Sequence, residues 1–131
     1  MHRFILAALF TFAAGNIFAA DTAQLTDADL ARRMRMPTGF EMRIFARGLS
    51  GARFMTVGPD GMIYVSLMGA GAIARLRPDG NAARAERVVE GLDRPHGLAF
   101  HDGKLYVAGT RKVWRVDQLR SDGSPSRAAE I

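Results

Sequence analysis

Gly91-Leu92-Asp93-Arg94-Pro95-His96-Gly97-Leu98-Ala99-Phe100-His101-Asp102-Gly103-Lys104-Leu105-Tyr106-Val107-Ala108 decides the reading of this chain, because it repeats an earlier stretch. Gly48-Leu49-Ser50-Gly51-Ala52-Arg53-Phe54-Met55-Thr56-Val57 is followed by a Gly-Pro-Asp-Gly turn and Ile63-Tyr64-Val65-Ser66. Four Asp-Gly pairs, at Asp60, Asp79, Asp102 and Asp122, keep the same rhythm: the first and third lie 42 residues apart, the second and fourth 43. A period of about 40 to 50 residues built from short strands is the signature of a β-propeller blade. Asp-Gly suits the joints, since it accepts the positive φ angles that tight hairpins demand.

Around this core the chain reads as strands from Phe40 onward. Phe40–Phe45 alternates apolar and polar residues, the period of a half-buried strand. Residues 54–57, 63–66, 73–77 and 84–90 form one four-strand set, and 97–100, 105–108 and 113–116 begin a second. Glu41–Phe45 matches Arg84–Val88, so it reads as an outer strand without the inner strands of its own blade. Arg127–Ile131 matches the same segment again. The expected fold is all-β: a closing strand at 40–46, a first propeller blade at 52–90 and an incomplete second blade at 95–131. Propellers have four to eight blades, so the reading expects an N-terminal piece of a longer protein; the rival is a small protein building its ring from several copies.

The N-terminal part has a different character. Met1-His2-Arg3, the apolar stretch Phe4–Ala14 and Asn16-Ile17-Phe18-Ala19 read as a secretory signal over 1–19, with mature chain starting near Ala20 or Asp21. The apolar stretch is shorter than the ~20 residues a bilayer requires. The expected location is periplasmic or secreted, without stable membrane insertion. Within a leader at 20–39, residues 25–36 read as a helix capped by Thr26 with Asp29 three positions on, stopped by Pro37 and packed through Leu30, Met34 and Met36.

Zero cysteines exclude disulfides, thiolate metal sites and covalently attached haem. Lys and Arg number 18 against 13 Asp and Glu, a formal charge of +5. Through the strand-like segments the arginines are scattered singly, without a basic run or interleaved aromatics, which suits a solvated surface or a small polyanionic ligand rather than nucleic acid.

Propeller geometry sorts the connections onto two faces. The Asp-Gly turns lie on one; residues 48–53, 67–71, 91–96 and 109–112 lie on the other. The second set carries Arg53, Arg94, His96, Arg111 and Lys112, with Asp93 its one acid. A basic channel mouth opposite an acidic base is expected, those five residues being the candidate ligand-facing set. His96 aligns with Arg53 of the preceding repeat; its ring either satisfies itself locally or lines the channel.

Pro37-x-Gly39-Phe40, Ile44-Phe45-Ala46-x-Gly48-Leu49 and Arg53–Ser66 resemble the opening of quinoprotein sugar dehydrogenases of the glucose/sorbosone type, and Gly91–Ala108 continues the likeness. The resemblance covers residues 37–131 and the first third or so of a family member. It implies an exported six-bladed propeller binding pyrroloquinoline quinone (PQQ) and calcium, and oxidising a sugar hydroxyl or hydrated aldehyde with an external electron acceptor. In such enzymes a histidine takes the substrate proton while arginines stabilise charge on the cofactor. Two departures stand out: Leu67-Met68 replaces the family's acidic-basic pair, and the family's catalytic histidine and calcium ligands fall beyond Ile131, so no catalytic residue or metal ligand is assigned here. Gly-Leu-Ala-Phe, Asp-Gly and Leu-Tyr-Val also occur in NHL-type binding propellers and in gluconolactonase-like metal hydrolases. These are the alternative readings. Exposed blade edges imply oligomerisation as a further expectation.

Overall fold

The computed structural model describes residues 25–122 and 124–131; the signal expected at 1–19 and the start of the leader lie outside them. Among these residues the fold is all-β apart from one short helix: two antiparallel four-stranded sheets, each a simple meander. Sheet 1 runs β1 (Ala52–Val57), β2 (Ile63–Leu67), β3 (Ala72–Asp79), β4 (Ala82–Val89) in that spatial order. Sheet 2 runs β5 (Gly97–His101), β6 (Lys104–Ala108), β7 (Val113–Val116), β8 (Ala129–Glu130).

Alternation along the strands builds the core. Tyr64 and Ile73 point to one face of sheet 1, where with Val88, Val89 and Leu92 they meet Leu105, Val107, Trp114 and Val116 of sheet 2. The Tyr64 and Phe100 rings touch edge-to-face across this seam, centroids 5.0 Å apart. The opposite face of sheet 1 gathers Val65, Leu67, Ala72, Ala74, Leu76 and Ala83, partly covered by Ala46 and Leu49. Apolar residues on the free faces remain exposed, Met55 at 71% and Val57 at 63%.

One backbone contact occurs twice. Ala83 N–H donates to the Phe45 carbonyl and Ser126 N–H to the Val88 carbonyl, both at 2.6 Å. The accompanying parallel bridges, Ala46 to Ala83 and Val89 to Ser126, are related by the same 43-residue shift as the sequence repeat. The opening segment thus holds on sheet 1 the place that the end of β4 holds on sheet 2.

Several expectations need correction. Phe40–Phe45 forms no ladder: only Ala46, just after it, makes a bridge, because among the described residues no inner strand lies alongside to pair with the segment. The helix α1 spans Asp27–Arg33 instead of 25–36. Its capping box is as expected, Thr26 and Asp29 exchanging hydrogen bonds, but Met34 is already extended and no helical residue is buried. Pro37 disfavours helical backbone in the residue before it, and Met34 and Met36 remain exposed at 48% and 39%. Polar ties hold the helix instead: Ile44 N–H donates to Asp27 Oδ1 (2.8 Å) and Arg47 to the Leu25 carbonyl (2.6 Å).

The Asp-Gly pairs are not one kind of turn. Asp102-Gly103 is the tight two-residue hairpin expected, with φ of 47° and 72°. Asp60-Gly61 lies in a wider loop closed by Gly58 N–H to Met62 O, and Asp79 pairs with Ala82 inside its ladder, leaving Gly80-Asn81 as the turn. Asp122 sits in the long link between β7 and β8.

Candidate functional site

The connections sort onto two sides as their contacts require. On one, Met68 N–H donates to Gly51 O (3.0 Å), Leu92 N–H to Gly71 O (2.9 Å) and His96 N–H to Ala108 O (2.8 Å). On the other, the Asp60 and Gly103 turns line one cavity together with Tyr64, Arg75 and Phe100, with a volume of about 360 Å³.

All five basic candidates belong to the first side. Arg53 lies in β1 at a bulge in its pairing with β2. Arg94, Arg111 and Lys112 are exposed, and His96 is half-buried just ahead of β5. Lys112 Nζ donates to Glu130 (2.7 Å), which raises its pKa above the usual ammonium value. Among the described residues Arg53, Arg94 and Arg111 form no ion pair. The two sheets bring the set to one side without enclosing it: cavities of about 250 to 460 Å³ among the described residues are lined by other residues.

Arg94 has a distinctive backbone. Its φ is 46°, in the left-handed region where a residue with a Cβ is strained. Its counterpart in the preceding repeat is Gly51, at φ 74°. The fold therefore uses the same bend twice but presents a guanidinium at the second. His96 is fixed through its backbone: its N–H meets Ala108, and its carbonyl accepts from Ser66 Oγ at 2.9 Å.

The acids of the opposite side are occupied locally. Asp60 accepts from Tyr64 Oη (2.8 Å) and Met62 N–H (3.1 Å), Asp79 pairs with Arg84 (3.0 Å), and Asp122 accepts from Ser124. Among the described residues no three metal-ligating side chains gather.

A polar cluster absent from the sequence reading lies at the seam. Arg75, 5% exposed, stands opposite Tyr64 in the β2–β3 ladder and opposite Glu86 in the β3–β4 ladder. Arg75 donates to Glu86 at 3.2 Å, Arg77 Nε donates to the same carboxylate at 2.7 Å, and Arg75 Nε has no partner among the described residues. Burial first, then the bond to Asp60, pushes the Tyr64 hydroxyl up to about 12. The same cross-strand pair recurs as Tyr106 and Arg115 in sheet 2. That recurrence was the available signal, hidden because the loops separating the two members differ in length.

Compared with known proteins, the chain matches no family model, no curated protein and no solved structure.

Proposed function

We propose that this chain is the N-terminal part of an exported, PQQ-dependent sugar or sorbosone dehydrogenase built as a six-bladed β-propeller, inactive without the rest of its ring. The observation that carries the reading is the repeat-related joint between consecutive four-stranded meanders, which suits rotation of one blade to the next. The sequence likeness over residues 37–131 supplies the chemistry.

Arg53, Arg94 and Arg111, exposed on one side and free of ion pairs among the described residues, fit a small polycarboxylate such as PQQ. In this reading they and Lys112 hold the cofactor's carboxylates by charge-assisted hydrogen bonds, and His96 lines the same mouth. PQQ, when bound, supplies the two-electron redox chemistry. The described residues offer no cluster for calcium, and no step is assigned to it. An NHL-type binding propeller is the second reading, supported by the Gly-Leu-Ala-Phe and Leu-Tyr-Val text that such proteins share; a gluconolactonase-like hydrolase is the third.

The test is to express the reading frame through the DNA downstream of codon 131 and titrate the product with PQQ and calcium. The proposal expects four further blades, quinone binding and sugar-dependent dye reduction. His96→Ala should weaken quinone binding while changing cofactor-free stability by less than ~1 kcal/mol. A downstream metal-ligating set of Glu, Asn and Asp with lactone hydrolysis would replace this reading, as would a complete ring with no quinone affinity.

A further inference from the structure

The two free sheet faces are copies of the two faces that already pack together. Sheet 2 docks on sheet 1 through Leu98, Phe100, Leu105, Val107, Trp114 and Val116. By the repeat, the counterparts of Leu98, Phe100, Leu105 and Val107 are Met55, Val57, Ile63 and Val65, on the far face of sheet 1, where Met55 and Val57 stand 71% and 63% exposed. Sheet 1 receives sheet 2 on the face of Tyr64 and Arg75, whose counterparts Tyr106 and Arg115 lie on the free face of sheet 2. One exposed face is therefore a plug and the other its socket.

From this complementarity we infer that the chain associates head to tail with a second copy of itself, the Tyr106 face of one copy covering the Met55–Val57 face of the next. Tyr106 takes the role of Tyr64 and Val57 that of Phe100, the pair now in contact at 5.0 Å within one chain. Burying Arg115 has its precedent in Arg75, and its partner is in place: Arg115 Nη2 donates to Asp117 Oδ2 at 3.2 Å, while its Nε, like that of Arg75, has no hydrogen-bond partner among the described residues. One tie is lost, since Ala108 replaces Ser66 and has no hydroxyl to donate.

The joint also fixes what must move. In the union, Ile131 of one copy stands where Phe45 of the other bonds Ala83, so the two outer segments compete. Retaining the opening segment there would set Arg43 opposite Arg115 in the β7 ladder, where β8 now sets Ala129, and like charges directly opposed are unfavourable. The opening segment is the one that yields. Such a contact is heterologous, so it closes into a ring or extends into a filament. The inference concerns this chain by itself, without the further blades that the quinone reading expects, and it uses only the repeat and the exposed faces.

The chain lacks cysteine, which makes crosslinking clean. Val57→Cys and Tyr106→Cys variants are prepared separately, checked for a native far-UV circular dichroism spectrum, and mixed under oxidising conditions. The expected result is a disulfide-linked species of twice the 14.3 kDa chain mass in the mixture and not with either variant alone. The unmodified chain should sediment, in a concentration-dependent way, above monomer mass. Crosslinking of either variant to itself would overturn head-to-tail docking. So would a monomer at every concentration, which would assign the two faces to another occupant such as further repeats of a longer chain. If a variant misfolds, sedimentation of the unmodified chain decides.

Discussion

Arg94 occupies, at φ 46°, the bend that Gly51 occupies at φ 74° one repeat earlier. A left-handed residue with a Cβ costs about 1–2 kcal/mol, and strain of this kind concentrates where a side chain is required for something other than stability. Glycine loses more chain entropy on folding, about 0.5–1 kcal/mol. Arg94→Gly should therefore stabilise the fold by about 0.5 kcal/mol, read as a higher urea midpoint. Under the proposed quinone reading, it should also weaken PQQ binding by any longer product of the reading frame. A less stable variant would show that the Arg94 side chain makes a contact that holds the loop.

Ser66 is fully buried, donates to the His96 carbonyl (2.9 Å) and accepts from Phe54 N–H (3.1 Å). Ser66→Ala leaves both backbone groups short of a partner, a loss of about 1–3 kcal/mol. Chemical denaturation measures it, and amide exchange should quicken at Phe54 more than at Leu105.

Tyr64 gives the fold an alkaline limit. Its folded pKa, about 12, lies above the usual tyrosine value near 10, so the folded state keeps the proton that the unfolded chain gives up. The associated stability is complete below pH 10 and is lost as pH rises toward 12. In an absorbance titration at 295 nm, Tyr64→Phe should remove the later step; in urea melts it should flatten the alkaline fall in stability. At neutral pH the same substitution should cost about 1 kcal/mol through the lost bond to Asp60.

Glu86 sets the acid side. Hydrogen bonds from Arg77 first, and from Arg75, hold its carboxyl below the usual value against the opposing effect of burial. Its contribution is therefore present above the unfolded value and lost as pH falls through the lowered folded one. Glu86→Gln leaves Arg75 buried beside a neutral partner and should cost about 2 kcal/mol, less than the 3–5 of a fully buried pair because Glu86 keeps contact with water. The variant should also lose less stability than the parent between pH 5 and 3.

The strands were legible because two signals agreed: alternation every second residue and a second copy of the same text. Val113–Val116 falls where that text placed it, although its loop differs in length. Phe40–Phe45 shows the limit, since alternation states a preference while a ladder needs a neighbour. The five basic residues fall at the same ends of the strands, because connections alternate sides in any meander. The Tyr64–Arg75–Glu86 cluster escaped because cross-strand neighbours are set by register, which the turns joining β2 to β3 and β3 to β4 fix and the text of a single strand does not state.

The bonds from Ala83 to Phe45 and from Ser126 to Val88 involve no side chain, and this bears on how such a chain can arise and drift. The donor is alanine in one copy and serine in the other, and the acceptor phenylalanine in one and valine in the other, with the same 2.6 Å contact in both. A tandem duplication of one such unit brings its own coupling with it, since every non-proline peptide carries the donor and acceptor it needs. Each daughter unit is then free to change its surface, as Gly51 and Arg94 have diverged, without renegotiating how it fastens to its neighbour.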